Sequence, residues 1–212
     1  MNFVYWLGWS FFRVFYATYL RHRAFNPERV PKTGAVILAS NHASILDPPL
    51  VGIGLNRECT FLARETLFNL APIRWLLTRW QAIPIDRDGS GAAGMKRILA
   101  ALEKGRAVIL FPEGTRTRDG QLQSVRSGIG LLAIKSQAPV VPVRVWGTFE
   151  AMGRGVHFPK PKRVMAKYGE PMLFTELRAE SKNCSKERLK EIYQQVSSEI
   201  LAAIAQLEPR PD

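Results

Sequence analysis

The chain has 212 residues, 46% hydrophobic and 23% charged, which argues against wholesale disorder and fits one domain or one domain with a short appendage. A net charge of +12 points to an anionic partner: a nucleic acid, a membrane surface or a phosphorylated substrate. The two cysteines, Cys59 and Cys184, form no C-x-x-C pair and have no histidine at metal spacing, which argues against a zinc site or a disulfide framework.

Residues 1–20 (MNFVYWLGWSFFRVFYATYL) are almost wholly aromatic or aliphatic. A spanning helix needs about 20 apolar residues. This run barely reaches that length and carries Arg13 inside it. A signal peptide fits poorly, because no basic segment precedes the run and no small-residue cleavage site follows it. Dense Trp, Tyr and Phe prefer the headgroup boundary, and the cations from Arg21 to Lys32 favour anionic lipid. The expectation is an interfacial or shallowly inserted helix. The alternative is a helix packed on the protein's own core or on another subunit.

Further along, Ala35–Ser40 is a short apolar run after a Pro-Lys-Thr-Gly turn and reads as a buried strand. Cys59–Ala63 is a second strand candidate, Leu67–Trp80 has helical apolar spacing, and Ile83–Ile85 is a strand that Pro84 consigns to an edge or bulge. Ser90–Glu103 reads as a helix ending before Gly105. Ala107–Phe111 is a buried strand, Gly128–Ser136 a helix, and Val140–Trp146 and Val164–Tyr168 are strands. The chain closes with a helix over Lys186–Gln206, capped by Ser185, whose Leu189, Ile192, Val196, Ile200 and Ile204 form one stripe. Short apolar strands alternating with helices predict an α/β layered domain with a mostly parallel central sheet flanked by helices. The Pro/Lys stretch Phe158–Arg163 reads as a loop.

In such domains ligands collect where strands end. Asn41-His42-Ala43-Ser44-Ile45-Leu46-Asp47 follows the first strand. His42 can accept a proton near neutral pH, and a carboxylate on its other nitrogen would fix the tautomer. Asp47 lies five residues on, about 140° away on an ideal helix, so only a turn brings the two together. Asp47 before Pro48 equally suits a helix N-cap, and His42 a satisfied loop residue. Phe111-Pro112-Glu113-Gly114-Thr115-Arg116 follows a later strand. Arg116 can grip a phosphate, Thr115 offers a hydroxyl, and Gly114 lets the backbone approach a ligand. Glu113 either orients Arg116 or caps the turn. Arg64 and Arg87 sit at two other strand ends; singly each is a solvated charge, together they would form a phosphate cradle.

These stretches resemble the glycerolipid acyltransferase superfamily, above all the bacterial 1-acyl-glycerol-3-phosphate acyltransferases. The block N-H-x-S-x-x-D is intact at Asn41, His42, Ser44 and Asp47, and F-P-E-G-T-R is intact at Phe111–Arg116. Val140–Val143 matches a fourth block. The second, G-x-x-F-I-x-R, is partly kept: Ile85 and Arg87 match, while Gln81 stands at the glycine and Pro84 at the phenylalanine.

The resemblance implies that His42, held by Asp47, deprotonates an acceptor hydroxyl, which attacks the thioester of an acyl carrier protein or coenzyme A donor. Lysophosphatidic acid would become phosphatidic acid. Arg116, Thr115 and Gly114, helped by Arg87 and Arg64, would hold the phosphate, with Asn41, Ser44 and Glu113 ordering the loops. No cofactor or metal is expected, nor a covalent acyl-enzyme, since no G-x-S-x-G elbow is present. The expected organisation is a membrane-associating helix over 1–24 and an acyltransferase domain over 25–212. The expected location is the cytoplasmic face of a membrane, the inner one in a bacterium. A different acceptor (glycerol-3-phosphate or another lyso-lipid) is an alternative, as is a non-catalytic membrane-surface binder. Nucleic-acid binding finds no signature.

Overall fold

The computed structural model describes residues 2–85, 91–125 and 128–210. Helix α1 (Phe3–Thr18) leads into strands β1 (Arg23–Phe25) and β2 (Val36–Ser40), then helix α2 (Asp47–Ile53). Strands β3 (Cys59–Thr60) and β4 (Leu62–Arg64), helix α3 (Ala71–Arg79) and strand β5 (Ile83–Ile85) follow. The second half runs α4 (Ala92–Glu103), β6 (Ala107–Leu110), α5 (Gly128–Ser136), β7 (Val140–Trp146), α6 (Thr148–Met152), β8 (Met165–Tyr168), α7 (Thr175–Glu180) and α8 (Lys186–Gln206).

The main sheet has the order β1-β8-β7-β2-β6-β3. Strands β7, β2, β6 and β3 are mutually parallel, and β8 runs antiparallel to β7. The sheet is therefore mostly parallel, as the alternation of short apolar runs with helices predicts. Every residue of β2 and β6 is buried because helices cover both faces. Successive side chains alternate between two cores. Val36 and Leu38 join Tyr16, Leu50 and Tyr168 on one side. Ile37 and Ala39 join Ile98, Leu132, Ile192 and Ile200 on the other. Of the α8 stripe, Ile192, Val196, Ile200 and Ile204 are fully buried, and Ser185 accepts the Arg188 N–H at 3.1 Å as the expected cap.

Several local expectations change. Cys59–Ala63 splits between the main sheet and a separate two-stranded sheet formed by β4 and β5. The helix expected over Leu67–Trp80 becomes a 3₁₀ turn, Glu65–Asn69, followed by α3. Pro72 lies in the first turn of α3, where its missing N–H costs nothing; a helix already under way at residue 67 would have lost a hydrogen bond there. Strand β1 and helices α6 and α7 are too short to carry a readable period. The 24/25 division falls inside β1, which pairs with β8.

Helix α1 packs one side on the domain and leaves the other exposed. Tyr5 and Tyr16 are buried, Tyr16 Oη donates to the Leu46 carbonyl at 2.6 Å, and Trp9 Nε1 donates to the Leu55 carbonyl at 3.2 Å. Its other side leaves Phe3, Trp6, Leu7, Phe11 and Val14 exposed, Phe3 at 73% and Phe11 at 65%. Among the described residues no helix is long and apolar enough to cross a membrane.

Candidate active site

Strands β2 and β6 are parallel neighbours, with Ala39 opposite Leu110. Their C-terminal ends therefore lie side by side, and the loops that follow, starting at Asn41 and Phe111, meet. The His42 N–H donates to Glu113 Oε1 at 3.0 Å, and the His42 carbonyl accepts the Thr117 N–H at 2.8 Å. The Phe111 ring stacks on the imidazole at 3.8 Å between centroids, 17° from parallel. Asn41 clasps the next strand, β7: its Nδ2 donates to the Val145 carbonyl at 3.1 Å and its Oδ1 accepts the Val145 N–H at 2.8 Å.

Asp47 is not an N-cap. It is the first residue of α2, and its side chain makes no capping bond to that helix. A turn closed by the Asp47 N–H on the Ser44 carbonyl (3.2 Å) folds the carboxylate back over the loop instead. Asp47 Oδ2 accepts from the Ala43 N–H at 2.6 Å and the Ser44 N–H at 2.7 Å, and lies 2.9 Å from His42 Nδ1. Asp47 is fully buried. A carboxylate oxygen already holding two N–H groups fixes the hydrogen on Nδ1 and leaves Nε2 as a proton acceptor. Ser44 Oγ donates to the Met152 carbonyl at 2.6 Å, which ties its hydroxyl to α6 rather than to His42.

Glu113 also braces its own loop, Oε2 accepting the Gln123 N–H at 3.3 Å. Gly114 takes φ of +70°, a conformation that suits glycine, and closes the turn on the Phe111 carbonyl at 2.9 Å. Burial pushes the Glu113 carboxyl up to about 7. The folded pKa lies above the unfolded one. The stabilising contribution of the bound proton is thus full below about pH 4.5 and is lost as the pH rises through about 7. Glu113→Gln stays neutral throughout. The melting temperature of E113Q relative to wild type should rise across this window and level off above it. A flat difference would mean that the carboxyl titrates normally.

His42 opens onto a cavity of about 560 Å³. Its walls are apolar: Gly8, Trp9 and Phe12 of α1, Ile53 of α2, Phe61, and Leu77 with Trp80 beside α3. A side chain at Gly8 would collide with the Trp80 indole, its Cβ falling 2.7 Å from Nε1, so the glycine is what lets α1 and Trp80 close this wall together. Cations and a hydroxyl share the lining: Arg64, Thr115, Arg116 and Arg154 face the same cavity as His42. Arg87 lies outside the described residues. Cys59 also lines the cavity, but burial pushes its thiol up to about 12, so it stays protonated.

Two contributors escape a reading by motif. Arg154 follows α6, 38 positions beyond Arg116, with nothing in its neighbourhood to mark it. Thr117 lies one residue past the intact block and works through its backbone. Gln81, which occupies the family's glycine position, keeps φ of +61° and so holds a glycine-like conformation with a full side chain.

A carboxylate-oriented histidine in an apolar cavity that three arginines also line, on an α/β sheet, suits an anionic amphiphile. A model of the Acyltransferase family matches residues 21–146, more than half of the chain, and the chain belongs to that family. It is 26% identical over 151 residues to a 1-acyl-sn-glycerol-3-phosphate acyltransferase of Bacillus subtilis, covering 71% of this chain and 73% of that one. It is 32% identical over 121 residues to the chloroplastic protein of the same name from Brassica napus, covering 56% of this chain and 35% of that one. With the beta form from Homo sapiens it shares 30% over 152 residues, 68% and 53% of the two chains. The chain thus spans about a third of the Brassica napus relative and about half of the human one. The crystal structure of the 1-acyl-sn-glycerophosphate acyltransferase of Thermotoga maritima has the same fold, with a TM-score of 0.70 at 24% identity over 97% of this chain and 83% of that one.

Proposed function

We propose that the protein transfers a fatty acyl chain from an acyl-carrier-protein or coenzyme A thioester to the free hydroxyl of 1-acyl-glycerol-3-phosphate, giving phosphatidic acid for phospholipid biosynthesis. The observation that carries this is the Asp47–His42 pair, 2.9 Å apart, with His42 lining an apolar cavity that Arg64, Arg116 and Arg154 also line. His42 Nε2 takes the acceptor's hydroxyl proton as the oxygen adds to the thioester carbonyl. The tetrahedral adduct collapses with cleavage of the C–S bond, and the imidazolium returns the proton to the departing thiolate. The buried Asp47 carboxylate stabilises the imidazolium in between. The names of the relatives support lysophosphatidic acid as acceptor. The exposed apolar side of α1 supports a working position at a membrane, and thioester donors supplied from the cytoplasm favour its cytoplasmic face.

Arg116 holds the acceptor phosphate, with Thr115, Arg64 and Arg154 lining the same cavity and Arg87 assisting as the family's second block implies. Arg116→Ala should raise the KM for lysophosphatidic acid about tenfold or more, the cost of one lost charge-assisted contact, with a smaller effect on kcat. An unchanged KM removes Arg116 from the phosphate site. The proposal as a whole is tested by purified protein supplied with a long-chain acyl thioester and, in parallel, lysophosphatidic acid, glycerol-3-phosphate and a lysophospholipid with a capped phosphate. Phosphatidic acid from the first alone supports the assignment. Faster acylation of either of the others replaces the acceptor while keeping the chemistry.

A further inference from the structure

The segment between α6 and β8, residues 153–163 (GRGVHFPKPKR), takes no part in the chemistry above except through Arg154. Phe158 at its tip is 83% exposed, the most exposed large hydrophobic side chain among the described residues, and Val156 beside it is also exposed. Arg154, His157, Lys160, Lys162 and Arg163 surround them, all exposed. No acidic residue lies between Glu150 and Glu170. None of the five basic residues enters an ion pair among the described residues.

The segment is held in place at both ends. The Lys160 N–H donates to the Ala151 carbonyl of α6 at 2.8 Å, and α6 is tied to the catalytic loop through Ser44. Tyr19, the residue that ends α1, donates from its hydroxyl to the Pro159 carbonyl at 2.9 Å, and the Val164 N–H donates to the Leu20 carbonyl at 3.1 Å. Pro159 and Pro161 stiffen the stretch. The loop thus joins the foot of the apolar helix to the cavity, which Arg154 and the exposed Ile45 both line.

We propose that residues 153–163 form a second membrane contact, in which Phe158 inserts among the headgroups of an anionic bilayer and Lys160, Lys162 and Arg163 bind its phosphates. This rests on the membrane reading of α1 given above. An apolar tip within a basic collar is the composition of an interfacial contact. An acidic protein surface would match the charge but would leave Phe158 without a reason to be bare. With α1 as one point of attachment and this loop as the other, the cavity mouth between them faces the bilayer. An acceptor lipid can then reach His42 without leaving the membrane.

The full-length protein is sedimented with vesicles of phosphatidylcholine and of equal parts phosphatidylcholine and phosphatidylglycerol. The triple variant K160E/K162E/R163E should bind the anionic vesicles about 100-fold more weakly and the neutral ones nearly as wild type does. Phe158→Ser should weaken binding to both about tenfold. Melting curves confirm that both variants fold. A Phe3→Ser/Phe11→Ser variant tests α1 separately and leaves its buried tyrosines in place. If that variant detaches while both loop variants bind as wild type does, α1 is the anchor and the loop proposal is overturned. If the loop variants bind vesicles normally and show only a raised KM for acyl-carrier protein, the loop docks the donor protein and the proposal is likewise overturned. If the wild type itself ignores both kinds of vesicle, the membrane reading falls, and the loop proposal with it.

Discussion

His42→Ala should lower the turnover of lysophosphatidic acid by roughly a thousandfold or more, the worth of a positioned general base together with its orienting carboxylate. The fold should survive. The loop is held through the main chain of residue 42, its N–H on Glu113 and its carbonyl on Thr117, and both bonds remain with alanine. What is lost is the ring's stacking on Phe111 and its bond to Asp47, which still keeps the Ala43 and Ser44 N–H groups. Circular dichroism and a thermal melt beside the assay separate the two effects. A folded H42A enzyme within tenfold of wild type would refute the base assignment.

Asp47→Asn should combine a loss of rate of two to four orders of magnitude, roughly, with a loss of stability of about 1–3 kcal/mol. One carboxylate oxygen receives all three neighbours: the Ala43 N–H, the Ser44 N–H and His42 Nδ1. The other, Oδ1, is buried and has no hydrogen-bond partner among the described residues. An asparagine that keeps its oxygen on the three donors buries an unpaired NH₂ at the Oδ1 position. Turned the other way, it sets its NH₂ against two backbone N–H groups and permits the wrong tautomer of His42. Either way an amide is a poor replacement. A D47N protein with wild-type rate and melting temperature would reduce Asp47 to a space-filler in the turn. Loss of stability with an unchanged rate would make its role structural only.

The distance between these two residues marks where reading by periodicity stops. Residues five apart diverge on a helix, and Asp47 before a proline suits a cap as well as it suits a base's partner. The turn over Ser44–Asp47, with the carboxylate drawn onto the N–H groups of Ala43 and Ser44, decides the matter. No propensity of the single residues states that outcome. Glu113 is similar. As one residue of a turn it looks like a surface carboxylate, and only adjacency of β2 and β6 places it under the His42 N–H, out of water.

The sequence by itself determined the layered α/β class, the longer strands and helices, and the two loops of the candidate site. Those features rest on local causes: apolar runs that need two covered faces, a stripe every third or fourth residue, glycine and proline at ends, and intact short blocks. Tertiary structure alone decided which loops meet, that α1 packs on the domain and still exposes Phe3 and Phe11, and that Arg154 lines the cavity with His42. Each of those depends on the order and direction of strands far apart in the chain. Hydrogen-bond register between parallel strands and the burial of one helix face against another are set there, and neither is written in the neighbours of any one residue.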